Sequence, residues 1–264
     1  MGRVGKKMKM KVIRNFLSSL PKGVYDVLVD ERIDEIEGHL KLLLQDIGSI
    51  NFGSSNSVLC QKILYTTFID ALAATRYGKS VGSRMRFTQL ISEYSNWSES
   101  NNLCPHHLYE FCSLYPELSS VQEYAKKILN DWEATGETLI YLDGSPTLEQ
   151  VSVLWPNNGE QRVAGKKLEF FSYSNLLYGA RSSLVHQNYS PHGLPFFKKE
   201  HETPHFVAWK VDDLPDKRLE LIFPTLFLHG LCESLLLEVI EYFRKSRIAP
   251  WPKGHFSEFM LDGI

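Results

Sequence analysis

Apolar side chains recur at three- and four-residue steps over five long stretches of this chain, and that periodicity constrains the fold more than any other feature. Val27, Ile33, Ile36, Leu40, Leu43 and Leu44 mark residues 24–47. Leu59, Ile63, Leu64, Phe68, Leu72 and Ala73 mark 58–77, and Gly78 follows as a C-cap. Met85, Phe87, Leu90, Ile91 and Tyr94 mark 84–97. From Lys166, a run of Leu168, Phe170, Phe171, Leu176, Leu177, Ala180, Leu184 and Val185 continues to Asn188, where Pro191, Gly193 and Pro195 stop the helix. Pro224 opens a last helix to about Arg247, with Leu226, Phe227, Leu231, Leu235, Leu236, Val239, Ile240 and Phe243 on its buried side. A helix with one apolar face is stable only when that face is buried against another element. The expected fold is therefore mainly α, a bundle of long helices in a single domain over 1–264.

The intervals between these helices are less uniform. Residues 98–165 read as an insertion. Within it, Pro105 to Cys112 and Val121 to Ala134 read as helices, while 138–142 and 151–155 read as two short strands around Asp143-Gly-Ser-Pro. Pro156-Asn-Asn-Gly is a turn. Residues 204–223 read as a β-hairpin, because two alternating runs flank Asp212-Asp-Leu-Pro-Asp. The core helices then occupy about 24–97, 166–190 and 224–247. Residues 1–22 form an arm with seven basic side chains and no acidic one, either a solvated tail or a contact for phosphate or a partner. Residues 23–50 reverse the sign, with seven acidic side chains on the exposed face of a helix.

Composition narrows the function classes. A chain that is 43% hydrophobic is not a disordered polymer, and a formal charge of −2 excludes a histone-like binder. It leaves room for a local basic patch. Four scattered cysteines point to a reducing compartment. No apolar run approaches the ~18–20 residues of a membrane span, and no secretory or myristoylation signal opens the chain, so a soluble, cytoplasmic protein without membrane partners is expected. A phosphate-binding glycine loop, Gly-x-Gly-x-x-Gly, Gly-x-Ser-x-Gly and His-Glu-x-x-His are all missing, which counts against NTPases, dehydrogenases, α/β-hydrolases and zincins. Cys104, His106, His107 and Cys112 have no closed zinc-ligand spacing, and no metal or cofactor is expected. Asp70, inside an apolar helix, reads as facing water or capping a neighbouring backbone, with a buried catalytic acid as the alternative.

The chemistry concentrates in Phe171-Ser-Tyr-Ser-Asn-Leu-Leu-Tyr-Gly-Ala-Arg-Ser-Ser-Leu-Val-His-Gln. Arg181 stays charged and can grip a phosphate with two parallel hydrogen bonds. Histidine ordinarily titrates near neutral pH, so a residue such as His186 can take and give protons. Together they are the minimum for metal-free RNA cleavage, in which one group moves the 2′-hydroxyl proton and the other offsets charge growing on the phosphate.

Arg181-Ser-Ser-Leu-Val-His186 resembles the motif of the HEPN superfamily, Arg, four to six residues, then His, often as Arg-Asn-x-Leu-x-His. Arg32 to His39, with six residues between, also fits that range, but it runs through Asp34, Glu35 and Glu37, an anionic strip that repels RNA. The resemblance implies a helical bundle and a metal-independent endoribonuclease with Arg181 and His186 catalytic and Ser182 supporting. It also implies a homodimer through the motif helix, with RNA as substrate and an antitoxin or defence-complex protein as a partner. The alternative within the family is a non-catalytic module that binds RNA, a nucleotide or a protein. Family members paired with nucleotidyltransferase antitoxins often carry Tyr two residues after the His. Here that position is Asn188, and Tyr189 comes one later. On an ideal helix five steps are about 140°, so Arg181 and His186 do not share a face. Either the last turn frays or the site is completed by a second subunit.

Overall fold

The structure is a computed structural model that describes residues 22–51, 56–78, 80–187, 201–209, 218–248 and 250. The described residues form α1 (Lys22–Ser49), α2 (Asn56–Tyr77), α3 (Ser83–Tyr94), α4 (Pro105–Cys112), α5 (Ser119–Ala134), α6 (Leu148–Ser152), α7 (Tyr173–Gln187) and α8 (Thr225–Ser246). Three short strands accompany them: β1 (Leu139–Tyr141), β2 (His205–Trp209) and β3 (Arg218–Ile222). The protein is thus mainly α with a small antiparallel sheet in the order β1-β2-β3. The chain groups into two compact units, residues 1–43 with 236–264, and residues 44–235. Residues 1–21 of the expected basic arm 1–22 and the turn of the expected hairpin lie outside the described residues, and Lys22 opens α1.

In the first unit, α1 buries Val29, Ile33, Ile36 and Leu40, and α8 buries Val239, Ile240 and Phe243. The acidic side of α1 is not an open anionic face. Arg247 reaches both carboxylate oxygens of Asp30 at 2.6 and 3.0 Å, and Arg244 holds Asp34 at 2.8 Å and also Glu37. Lys41 and Arg244 keep the Glu37 carboxyl below its ordinary range. Pairs this exposed contribute little to stability, because water and salt screen them.

In the second unit, α2, α3 and α7 pack against one another. Their buried faces are Tyr65, Phe68, Ile69, Leu72 and Ala73 on α2, Phe87, Leu90 and Ile91 on α3, and Tyr173, Leu177 and Leu184 on α7. Five residues expected in the core, Val27, Leu43, Leu64, Met85 and Leu226, are exposed. Each helix buries only one stripe, and these positions lie at its margin.

Two expected elements differ. The helix expected from Lys166 begins only at Tyr173, because 168–171 form a 3₁₀ turn and Ser172 is extended. Ser172 bridges to Leu103, the Cys104 N–H donates to the Phe171 carbonyl, and the Tyr173 N–H donates to that of Asn102. The backbone spends its hydrogen bonds on the neighbouring loop there, and the Ser172 Oγ then accepts from the Asn175 N–H as α7 starts. Residues 151–155 are not a strand. Thr147 and Gln150 form a capping box that starts α6, and Val151 and Trp155, four residues apart, are both buried. They join Leu103, Leu108, Leu118, Val121, Leu168 and Phe171 in one apolar cluster. Pro156-Asn-Asn-Gly is a turn with Asn157 and Asn158 at φ 51° and 49°, a region that Asn tolerates better than most residues.

β1 comes from the inserted segment, so its pairing with β2 adds a third strand to the expected hairpin. Register places Phe206 and His205 on opposite faces. Phe206 is fully buried against Trp132 and Tyr173. His205 is 2% exposed and donates through Nδ1 to the Thr203 carbonyl at 2.9 Å. Burial pushes its imidazole below the ordinary range against that hydrogen bond, and the charges of His201 and Lys62 add to the effect. The unfolded chain, titrating near ~6.5, therefore takes up this proton at higher pH than the folded one. Stability falls as pH drops through that value. Urea melts of wild type are expected to lose midpoint more steeply below pH ~6.5 than those of His205→Gln. Equal slopes refute the assignment.

Candidate functional site

α7 carries its apolar residues inward and leaves Tyr178, Arg181 and Ser182 half-buried at its side. Tyr178 and Arg181 are three residues apart and therefore neighbours on the helix surface, with the guanidinium 5.9 Å from the ring centre. The Arg181 Nη2 meets the Asp70 Oδ2 of α2 at 2.7 Å. The other oxygen of the same carboxylate accepts from the Arg86 Nη2 of α3 at 3.3 Å. All three side chains are only 13–15% exposed. Asp70 therefore neither faces open water nor caps a backbone, in contrast to the reading from its position in an apolar helix. Its neighbours Phe68 and Ile69 are buried in the α2 face. A carboxylate beside them needs a partner in place of water, and two arginines supply it.

One carboxylate shared by two guanidinium groups leaves the cluster with a net positive charge. The Nε atoms of Arg86 and Arg181 are buried and have no hydrogen-bond partner among the described residues. Arg84, two residues before Arg86, donates to the Asn175 carbonyl and side-chain oxygens at 3.4 and 3.3 Å. It lies 4.7 Å from the Tyr178 ring centre and 5.1 Å from that of Phe170. Arg181 thus shares the Tyr178 ring with Arg84 and the Asp70 carboxylate with Arg86.

The structure brings Arg181 and Ser182 onto one helix with His186, and that helix stays regular through Gln187. The backbone consequently sets positions 181 and 186 about 140° apart around the axis, with no fraying before Gln187. The side chain of His186, Asn188 and Tyr189 lie outside what is described. Ser182 makes no side-chain hydrogen bond among the described residues. Arg32, of the second matching pair, is held by Glu35 within α1.

Other polar groups point elsewhere. Cys104 caps α4, its Sγ accepting from the His107 N–H, and lies 3.0 Å from the His107 Nδ1. Burial pushes its thiol up to about 12, and that of Cys112 likewise, so neither is a ready thiolate ligand. No cluster of three or more metal-ligating side chains occurs among the described residues. A cleft of about 450 Å³ is lined in part by Trp97, Glu99, Glu202, Phe227, His229 and Glu233. Its three carboxylates repel phosphate. Lys62 is pushed down by burial, with Glu220 acting against that shift. Among the described residues, no helix is long and apolar enough to cross a membrane.

The sequence pointed to Arg181 but missed its partners. Arg84 and Arg86 belong to no motif on α3, and the pairing of Asp70 with Arg181 joins residues 111 apart, which no local pattern reports. Comparison with known proteins adds no further constraint: no family model, curated protein or solved structure matches the chain.

Asp70→Asn leaves both arginines facing a neutral amide. Breaking a fully buried pair costs ~3–5 kcal/mol. These groups still touch water, so a loss of about 2 kcal/mol in urea unfolding is expected. An unchanged midpoint shows that the carboxylate does not hold the helices.

Proposed function

We propose that this protein is a metal-independent endoribonuclease of HEPN type, with Arg181 and His186 catalytic and Ser182 supporting. The observation that carries the reading is the Arg181-Ser-Ser-Leu-Val-His186 segment on a regular helix, with the Arg181 guanidinium anchored beside Arg86 in a cationic cluster. An anchored guanidinium spends its ordering entropy on folding and not on substrate capture. In the reaction, His186 takes the 2′-hydroxyl proton and the 2′-oxygen attacks phosphorus. The P–O5′ bond breaks, and the proton passes to the leaving 5′-oxygen. Arg181 offsets the charge that develops on the phosphoryl oxygens. The products carry 2′,3′-cyclic phosphate and 5′-hydroxyl ends.

The angular separation of positions 181 and 186 supports a homodimer through α7, in which the Arg of one copy works with the His of the other. A cytoplasmic role in a toxin–antitoxin or antiviral defence system, with an antitoxin or defence-complex protein as partner, follows from the same resemblance.

The Asp70 ion pair favours a second reading. It occupies part of the guanidinium that a phosphate would use, as in a module that binds RNA or a protein without cutting it.

Purified protein incubated with tRNA and total RNA in EDTA is expected to cut. Arg181→Ala and His186→Ala are each expected to lose at least ~100-fold in rate. Mixing the two inactive variants restores activity if the groups act across subunits. Cleavage that survives both substitutions, or that requires Mg²⁺, refutes the ribonuclease. RNA retention without any cleavage favours the binding module.

A further inference from the structure

Lys166, Phe170, Arg84, Tyr178 and Arg181 alternate cation and ring without a break. The Lys166 Nζ lies 4.2 Å from the Phe170 ring centre and 5.3 Å from that of Phe111. Arg84 lies between Phe170 and Tyr178, at 5.1 and 4.7 Å, and Arg181 follows on Tyr178 at 5.9 Å. All are half-buried, so each keeps part of its surface in water. Among the described residues neither Lys166 nor Arg84 has a carboxylate partner. The acids nearby are engaged: Asp70 holds Arg86 and Arg181, Glu160 holds Lys167, and Glu169 also acts on Lys167.

We propose that this stripe is a binding track for single-stranded RNA that ends at Arg181. A single strand repeats a base and a phosphate. The stripe repeats a flat π-surface and a positive charge, so bases stack on the rings and on the guanidinium plane while phosphates meet the cations. A duplex hides its base faces and matches only the charges. An acidic peptide matches the charges and leaves the rings without partners. Contacts between neighbouring cations and rings hold these side chains in place before RNA arrives, which lowers the ordering cost of binding.

The inference deepens the ribonuclease reading and rests on it for the end at which RNA is presented. Its test separates the two. Anisotropy of a labelled 2′-O-methyl oligouridylate of about a dozen nucleotides, a length within the range covered by single-strand sites, reports binding by the full chain without cleavage. Arg84→Ala is expected to weaken Kd by roughly 10-fold or more. Arg84→Lys keeps the charge, loses the plane, and recovers only part of that loss. Lys166→Ala is expected to lower the slope of log affinity against log salt by about 0.7, one single-strand phosphate contact. Circular dichroism melts that match wild type exclude misfolding, and for any variant that melts early Arg84→Lys carries the comparison.

Unchanged affinity in Arg84→Ala and Lys166→Ala overturns the track, and so does equal affinity for a duplex of the same length. Displacement of the RNA by polyglutamate as effectively as by unlabelled RNA overturns it as well. If wild type cuts RNA while these variants bind normally, the track fails and the ribonuclease stands. If the variants lose binding while wild type cuts nothing, the ribonuclease fails and the track stands.

Discussion

The second compact unit depends on burying three apolar helix faces, those of α2, α3 and α7, against one another. Phe87, Leu90, Ile91, Ile69, Leu177 and Tyr173 are almost fully withdrawn from water there. Burial on this scale leaves little freedom for polar groups at the margins of the same faces. Asp70 sits one residue from Ile69, and a carboxylate withdrawn from water there needs a partner. The guanidinium groups of Arg86 and Arg181 meet it from two other helices, and the polar cluster follows from the apolar packing. This is what holds Arg181 in place.

The same packing accounts for the stripe of rings and cations. Tyr178 lies 5.4 Å from Phe87, ring centre to ring centre, and Phe170 packs against the apolar cluster that includes Leu168 and Trp155. Each ring is anchored in part by the core, meets two of the cations, and keeps part of its surface in water. Among the described residues, Arg84 and Lys166 are thereby positioned without an acid, and cations outnumber acids around Arg181 although the whole chain carries −2. Charge is partitioned in space. Acids gather on α1, where Arg244 and Arg247 meet them, and at the cleft lined by Glu99, Glu202 and Glu233.

Much of the fold was legible in the sequence because helix periodicity is a local property. The helices over 22–49, 56–77, 83–94 and 225–246 begin and end within a few residues of the expected limits. The misreadings have physical causes. At 151–155, β-branched and aromatic residues outweighed the Thr147–Gln150 capping box, a signal that was present. At 166–172 the apolar pattern ran on through a 3₁₀ turn, because Phe171 and Tyr173 share backbone hydrogen bonds with Cys104 and Asn102, partners distant in the chain. The exposure of Met85 and Leu226 shows that composition alone does not tell the centre of an apolar stripe from its edge.

The sequence by itself determined a mainly helical protein, the positions of its long helices and the presence of an Arg–His pair on one of them. These depend on neighbours within a turn or two. Only the tertiary structure decided that Asp70 meets Arg86 and Arg181, that β1 joins β2, and that Lys166, Arg84 and Arg181 line up through Phe170 and Tyr178. Those contacts join residues up to 111 apart. They arise because packed faces bring distant side chains together and burial then forces each charge to find a partner or a ring.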